Sequence, residues 1–356
     1  MSEELALGFA TKSPSHHLIS PLFPDKIGGR PAWLALGHLP SPAQLRCPQC
    51  SQPMAFLLQV YSTIDDRVDC FHRVLFLFMC RDGKCHHMPD GFPPFRVFRS
   101  QLGRQNPYYS YEPPETEHPS ESLVKSWIEE NRLPCAERFT NICPICGCKA
   151  DQMCSRCRAV YYCSKLHQVM DWKHRHKSRC SSSAGSCTKG PNFDWNDALL
   201  PEFRLSSETV VDRSAEVSSD EGEDEFASEK AENVLDDELE ALAKKETEEE
   251  ALFRKFREAL QSEPDQVIRL QRGGNPIWLS KNPPHVPPCE VTPQLLSHLK
   301  LDRIDQVSPD FGSLYIFTCA ASCPLPRTVQ PTSTDKDAAQ LIVEYQQEVV
   351  IRQMVP

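Results

Sequence analysis

The sequence of 356 residues has no long hydrophobic run. Its longest apolar stretches, such as RVLFLFMC at Arg73–Cys80, are far shorter than the roughly 20 residues that span a bilayer. We therefore expect no membrane anchor. The first residues, MSEELALGFATKS, contain two acids and no apolar core, so we expect no export signal. The phosphate-binding loop, the dinucleotide fingerprint and the nucleophile elbow are also missing, which predicts a protein without catalytic activity.

Positive charge is scarce overall, and the deficit has one local source. The chain carries a net charge of −10, whereas residues Glu216–Glu250 alone contain 16 acids and 3 bases, a net of −13. The remainder of the chain is therefore about +3. Residues 206–250 also have few large apolar side chains, so they cannot bury enough surface to offset the entropy lost on ordering. We predict a disordered acidic linker over 206–250.

Cysteine, in contrast, is abundant, with 17 residues. An odd number, the lack of an export signal and the frequent C-x-x-C spacing favour metal binding in a reducing compartment over disulfides. Residues 143–180 contain seven Cys and three His, and the spacing C-x2-C-x7-C-x2-C-x5-C-x3-H-x8-H-x3-C selects eight ligands. We expect two interleaved, closed and therefore structural zinc sites. One consists of Cys143, Cys146, Cys163 and His167, and the other of Cys154, Cys157, His176 and Cys180. Cys148 and His174 are left over.

A third zinc site is predicted in the first 115 residues, where two strand-like runs, Ala55–Tyr61 and Phe71–Cys80, accompany further cysteines. We expect its ligands to be Cys47, Cys50, Cys80 and Cys85. His86 or His87 remains an alternative to one of these four thiols. A fourth site would need Cys289, Cys319 and Cys323 plus a ligand that the sequence does not offer. Cys70, Cys135 and Cys187 are expected to be free thiols.

An internal repeat links the two ends of the chain. The pattern G-G-x-P-x-W-L occurs in Lys26–Leu34 and again in Gln271–Ser280, and Phe76–Cys85 resembles Tyr315–Cys323. We predict an α+β fold in which a β-rich domain is split into pseudo-repeated halves, residues 1–115 and 251–325. The finger at 143–180 is then an insertion. Edge strands of the β-rich unit offer a place where a client strand could be added.

Three helices are expected in the C-terminal part of the chain, one of them near Pro293–Leu299. An apolar stripe at the spacing of one helical face predicts a helix that begins near Val234, docks on the folded part and ends at Pro264. The stripe consists of Leu252, Phe253, Phe256 and Leu260. The last 25 residues, after Cys323 and its proline-rich exit, could form another helix.

The run Y-C-S-x-x-H-Q-x-x-x-W at 162–172 resembles the MYND zinc-finger family. The resemblance implies a module that binds proline-containing peptides and recruits corepressors. In that family the peptide lies along the strand before the Y-C pair and against the Q-x-x-x-W helix face. The matching positions here are Tyr161, Tyr162, Ser164, Gln168 and Trp172.

The flanks KIGGRPAWL, FHRVLFLFMC, YYSYEPP, PQLLSHLK and IFTCAASC resemble the programmed cell death protein 2 family over nearly the whole chain. That resemblance implies a non-catalytic protein of the nucleus and cytoplasm that escorts a small-subunit ribosomal protein, with links to apoptosis and proliferation. A corepressor adaptor or a DNA-associated regulator is the alternative, although no helix with base-reading side chains is apparent. The sequence departs from the family after Cys289, where a second cysteine and part of a strand are missing.

Overall fold

Strands from both ends of the chain close into one ten-stranded barrel in the computed structural model. The structure describes residues 5–87, 94–180, 198–210, 247–272, 276–279, 289–303, 305–325 and 343–355. The barrel strands are β1 (Leu5–Thr11), β2 (Lys26–Ile27), β3 (Ala55–Tyr61), β4 (His72–Met79), β5 (Phe95–Leu102), β8 (Phe203–Val210), β9 (Gln266–Leu270), β10 (Cys289–Val291), β11 (Ser313–Phe317) and β12 (Gln346–Gln353). The finger adds a small sheet of β6 (Gln152–Met153) and β7 (Tyr161–Tyr162).

The order around the barrel is β1-β8-β2-β3-β4-β5-β12-β11-β10-β9, and β1 and β9 are paired to close it. All pairs are antiparallel. The N-terminal and C-terminal parts of the chain meet at two strand pairs, which we call seams: β1 with β9, and β5 with β12. Strand β1 also pairs with β8 on its other side. Because each barrel strand has a neighbour on both sides, the edge strands that we expected for an added client strand are not present in the described barrel.

The central strands are buried on both faces, which explains why AFLLQVY and HRVLFLFM are apolar almost throughout instead of alternating. Side chains of one face, among them Leu75, Leu77 and Val97, fill the barrel together with Val291. Side chains of the other face form a second core outside the barrel, where the ring of Trp33 lies 5.2 Å from that of Phe76. That outer core also contains the zinc-finger cysteines, so the finger and the barrel wall share one core.

Two of the longer helices begin with a side-chain cap, whereas the short helix Gln294–His298 has none. Ser120 accepts from the Leu123 amide before the helix Glu121–Glu129, and Thr247 and Glu250 form a reciprocal capping box before the helix Glu248–Gln261. The α-helices are α1 (Glu121–Glu129), α2 (Lys165–Asp171, continued by a π turn, Trp172–His176, and the helical residues Lys177–Arg179), α3 (Glu248–Gln261) and α4 (Gln294–His298). Single 3-10 turns occupy Ser15–His17, Ser20–Leu22, Val68–Cys70, Gly83–His86 and Ala136–Arg138. No helix within these described ranges is long and apolar enough to span a membrane.

The first residues of the predicted linker form part of a strand instead. Residues 206–210 belong to β8, where they pair with β1 from Leu5↔Val210 onward, so tertiary pairing overrides their polar composition. Residues 211–246, with the predicted helix start at Val234, lie outside the described residues. Helix α3 carries the predicted stripe, with Phe256 buried, and ends at Gln261, before Pro264.

The C-terminal helix expectation is wrong for residues 346–353, which form β12. This strand lies between β11 and β5, with Tyr315↔Ile351 on one side and Phe98↔Gln347 on the other. The C-terminal half therefore extends beyond residue 325, and it supplies the strand that meets the N-terminal half.

Candidate metal centres

The first cluster in the finger brings together the four predicted ligands Cys143, Cys146, Cys163 and His167, whose ligand atoms all lie within 4.8 Å of one another. The Cys163 Sγ is 3.1 Å from the His167 Nδ1 and 3.6 Å from the Cys146 Sγ. Helix α2 places His167, because Ser164 caps the helix and accepts from the His167 amide. All four ligands are buried.

The second cluster consists of Cys154, Cys157, His176 and Cys180, again within 4.8 Å and buried. The His176 Nε2 lies 3.5 Å from the Cys157 Sγ and 3.4 Å from the Cys154 Sγ. A π turn at Trp172–His176 ends on the ligand His176 and widens the helix before Cys180, a feature that the x8 spacing does not predict.

The third cluster joins Cys47, Cys50, Cys80 and Cys85, within the same 4.8 Å limit. The first pair comes from a turn before β3, Cys80 directly follows β4, and Cys85 lies in the 3-10 turn Gly83–His86, so the open end of the β3-β4 hairpin carries the site. The His alternatives do not join it. Nε2 of His86 contacts the Cys80 carbonyl at 2.8 Å, and His87 contacts the Ser308 carbonyl at 3.2 Å.

Each cluster contains a thiol that is prepared for ionisation. Burial would raise the pKa of Cys143, but hydrogen bonds with Cys146, Cys163 and His167 bring that pKa well below its usual value. In the second cluster burial is again outweighed, by hydrogen bonds from the Cys157 amide and His176, and the pKa of Cys154 falls to about 6. The pKa of Cys47 is also lowered, since amides of its own knuckle oppose the effect of burial.

Three closed groups of thiolate and imidazole donors match the ligand chemistry of structural Zn²⁺. All of these ligands except the half-buried Cys50 are buried, and a lowered thiol pKa favours the deprotonated ligand that zinc requires. These clusters are therefore capable of binding zinc. Their role would be to fix the chain rather than to activate water.

The first finger cluster is fastened to the barrel. The Trp33 indole Nε1 donates to the Gly147 carbonyl at 2.7 Å, and an Arg30 guanidinium nitrogen donates to the Pro144 carbonyl at 2.5 Å. Gly147 has φ +73° in the knuckle, a conformation that favours glycine, and a Cβ there would lie 3.0 Å from the Arg30 Cβ. The G-G-x-P-x-W-L motif thus positions the finger, a role that the sequence pattern did not suggest.

The remaining cysteines and His174, which join none of the three clusters, differ in their burial. Cys148 is buried beside the first cluster, with its thiol 3.8 Å from the Cys146 carbonyl, whereas His174 lies at the exposed surface. Cys70 is buried and Cys135 half-buried, while Cys187 lies outside the described residues. Cys289 is buried in β10, while Cys319 and Cys323 are exposed. Within the residues that the structure describes, these last three do not gather into a ligand group.

The predicted peptide-binding residues divide into two sets. Tyr162 is fully buried, with its hydroxyl donating to Asp171 at 2.7 Å, and Ser164 is used as the helix cap. These two side chains hold the finger together and are not available at its surface. Tyr161, Gln168 and Trp172 are half-exposed. Sequence reasoning missed three exposed apolar side chains of the finger, Met153, Leu166 and Val169, because exposure is set by the fold.

A closed antiparallel barrel with a MYND finger packed on its wall defines the class, a zinc-finger protein built for interaction. Sequence comparison agrees: a MYND finger profile matches residues 143–180, and the N-terminal and C-terminal domain profiles of programmed cell death protein 2 match residues 4–116 and 250–354. The chain belongs to the programmed cell death protein 2 family.

Relatives cover most of the chain. It is 42% identical over 333 residues to programmed cell death protein 2 of Bos taurus, covering 90% of this chain and 92% of the relative. The protein of that name from Mus musculus is 41% identical over 334 residues, with the same coverage. Programmed cell death protein 2-like of Mus musculus is 24% identical over 346 residues, 86% of this chain and 87% of the relative. No solved structure gives a significant match.

Proposed function

We propose that the protein is a non-enzymatic escort that holds a basic small-subunit ribosomal protein during its passage between cytoplasm and nucleus. The observation that carries this proposal is the placement of the acidic segment. Strand β8 ends at Val210 and α3 begins at Glu248, so the acidic run Glu216–Glu250 (net −13) is joined to the described fold on both sides.

Charge is the physical basis of the escort role. Ribosomal proteins carry many Lys and Arg side chains that otherwise neutralise RNA phosphates, and an acidic segment competes with RNA for the same cations. A barrel and a finger that together carry three metal-capable clusters give that segment a stable support. The family name supports a link to cell death, and an escort of ribosome assembly would affect cell death and proliferation indirectly through protein synthesis.

The test is co-purification of clients with a charge-matched variant. Affinity capture of the full chain from nuclease-treated, ribosome-depleted lysate should yield a small-subunit ribosomal protein at a near-equal ratio. Replacing the Asp and Glu residues of 216–246 by Asn and Gln should reduce this capture and flatten its salt dependence. The zinc content should not change. Capture of the same client by the neutralised variant at equal yield would remove the proposal's basis.

A second function is supported by the finger surface. Tyr161, Gln168 and Trp172 lie half-exposed on the short β6-β7 sheet and on α2 with its π turn. We propose that this face takes an extended, proline-containing segment of a corepressor, as the MYND family resemblance implies.

This second function can be separated from the first by a point variant. Trp172→Ala should lose binding of a proline-containing peptide, measured by fluorescence anisotropy, while retaining the ribosomal client. Lys173→Ala, at the adjacent exposed position, is the matched control and should bind the peptide normally. If treatment with nuclease abolishes all nuclear association, the DNA-associated alternative gains instead.

We also infer that the barrel is a pseudo-repeat with exchanged first strands. Around the barrel, β2-β3-β4-β5 is followed by β12-β11-β10-β9. The two sets of four strands therefore run outward from the β5-β12 pair in the same order, with β5 corresponding to β12 and β2 to β9. The first strand of each half, β1 or β8, pairs with the second strand of the other half. The repeat tryptophans make matching contacts: Trp33 lies 5.2 Å from Phe76, and Trp278 lies 4.6 Å from Tyr315.

A further inference from the structure

The end of β11 carries two thiols that none of the three metal clusters uses. Cys319 and Cys323 are exposed, and their Sγ atoms lie 3.7 Å apart. They stand where the repeat would place the counterparts of Cys80 and Cys85. The sequence between the finger and Cys319 contains two cysteines, Cys187 and Cys289, and no C-x-x-C pair that could complete a four-cysteine site.

The buried environment of Cys289 also separates it from this pair. Its residue pairs with Ile316 in the ladder between β10 and β11, and its side chain belongs to the core inside the barrel. In the part of the chain that the structure describes, no His, Asp or Glu joins the two thiols to make a group of three ligands. The pair is therefore a dithiol with solvent access rather than a fragment of a closed tetrahedral site.

The loop that bears the dithiol is held by side chains from β5 and the segment before β4. Two Arg67 nitrogens donate to the carbonyls of Ala321 and Ser322 at 2.6 and 3.2 Å. Arg99 and Gln101 both donate to the Cys323 carbonyl, at 3.2 and 3.3 Å. These contacts hold the backbone of the loop and leave both thiol side chains at the surface. Once one of these thiols carries a mixed disulfide, a second thiol held so close attacks that disulfide far faster than an external thiol does.

The electrostatic surroundings favour reaction at Cys319. Hydrogen bonds from the Cys323 amide, the Cys323 thiol and the Ala321 amide lower the pKa of Cys319. The nearby thiol of Cys70 has the opposite character, since it is buried and burial raises its pKa. The exposed member of this region is thus the one that reacts with a soluble disulfide.

We propose that Cys319 and Cys323 are a redox modification site that forms an intramolecular disulfide by exchange with a small disulfide of the glutathione type. The Cys319 thiolate attacks one sulfur of oxidised glutathione and releases one glutathione thiolate. The Cys323 thiolate then attacks the Cys319 sulfur and releases the second. Two protein thiols are oxidised, one disulfide is reduced to two glutathione molecules, and the two protons go to the released thiolates. A rotation of the two exposed side chains brings the sulfurs from 3.7 Å to the bond length of about 2.05 Å.

Mass spectrometry of the zinc-loaded full chain tests this site. The protein is equilibrated with mixtures of reduced and oxidised glutathione, quenched in acid, alkylated and digested with trypsin. Both thiols lie in one tryptic peptide, residues 304–327, so the disulfide appears as a loss of two hydrogens and of both alkyl groups. We expect this peptide to oxidise while the zinc-to-protein ratio is unchanged and Cys70 stays reduced.

Variants distinguish the proposal from its competitors. Cys323→Ser should stop at a glutathione adduct on Cys319, whereas Cys70→Ser should behave as the parent chain. A peptide that remains reduced at every glutathione ratio that leaves zinc bound would overturn the proposal. It would also be overturned if the Cys319→Ser/Cys323→Ser protein binds one zinc fewer than the parent, because the pair would then be metal ligands.

Discussion

Glu290 shows how one buried carboxyl makes the stability of the barrel depend on pH. Its neighbours in the strand, Cys289 and Val291, point into the barrel, so Glu290 lies on the outer face, where it is nevertheless 4% exposed. Burial raises its pKa from 4.5 to about 7, although a hydrogen bond from the Ser313 hydroxyl at 3.0 Å and the charge of Arg269 act in the other direction. The folded chain therefore holds this proton more tightly than the unfolded chain does.

The sign follows from that difference. The contribution of Glu290 to the free energy of unfolding is fully present below the pKa that this carboxyl has in the unfolded chain. It is lost as pH rises through the pKa in the folded chain, and the loss reaches about 3 kcal/mol because the two pKa values differ by roughly 2.5 units. Glu290→Gln keeps a partner for Ser313 but cannot ionise. We expect urea unfolding between about pH 5 and about pH 8 to show a smaller decline of the unfolding free energy in the variant than in the parent.

Two controls test whether Glu290 itself causes the pH dependence. Asp25, whose pKa burial also raises to about 7, titrates equally in both proteins, so it cancels. Glu258→Gln removes an exposed carboxyl that pairs with Arg254 on α3, and it should retain the parent's pH profile. Parallel profiles for the parent and Glu290→Gln would contradict the prediction.

Residues differ in how far their roles can be deduced from sequence. The ligand groups could be predicted from spacing, because a C-x-x-C knuckle and a C-x3-H turn are local geometries. The role of Trp33 could not, since its hydrogen bond to Gly147 joins residues 114 positions apart. Tyr162 was assigned to peptide binding by its motif, whereas burial against Asp171 makes it part of the finger's own support.

Among the elements, the finger depends on the barrel through the G-G-x-P-x-W-L segment. Trp33→Phe removes the donor to Gly147 and leaves a buried carbonyl without this partner, which costs about 1–3 kcal/mol. We expect faster amide exchange in the finger knuckle and a lower unfolding midpoint, with unchanged zinc content, because the ligands themselves are not altered. Hydrogen exchange followed by mass spectrometry measures the first effect, and urea unfolding the second.

The matched control is the tryptophan of the second repeat segment. Trp278 packs on Tyr315 in the C-terminal half, so Trp278→Phe should leave exchange in the finger as it is in the parent. Equal acceleration by both variants would mean that the finger responds to general loss of stability rather than to its own hydrogen bond with the barrel.

Local pattern predicted the central strands but not the ends of the elements. The runs at β3 and β4 are apolar, aromatic and β-branched enough to be recognised without the fold. Strands β8 and β12 are polar, with SSET and QQE in their sequences, and their strand conformation comes from pairing with residues up to about 250 positions away. The closure of the barrel therefore could not be predicted from the local sequence pattern.

At the scale of the whole molecule, the barrel needs both ends of the chain. Cutting the chain within the acidic segment, for example between residues 225 and 226, leaves all strands intact but separates β9–β12 from β1–β5 and β8. Each fragment then exposes strand edges where the β1-β9 and β5-β12 seams belong. We expect neither fragment to unfold cooperatively by itself, and the two to co-purify as a one-to-one complex when expressed together.

Size-exclusion chromatography and zinc analysis of the reconstituted complex check this prediction, and all zinc should accompany the N-terminal fragment, which holds all three clusters. A strand-breaking change supplies the control. Ile268 lies in β9 and pairs with both Gly8 of β1 and Val291 of β10, so Ile268→Pro in the C-terminal fragment should prevent assembly. A C-terminal fragment that is monomeric and cooperatively folded without its partner would show that the halves are independent domains. That result would contradict a barrel in which each half needs strands of the other half to fold.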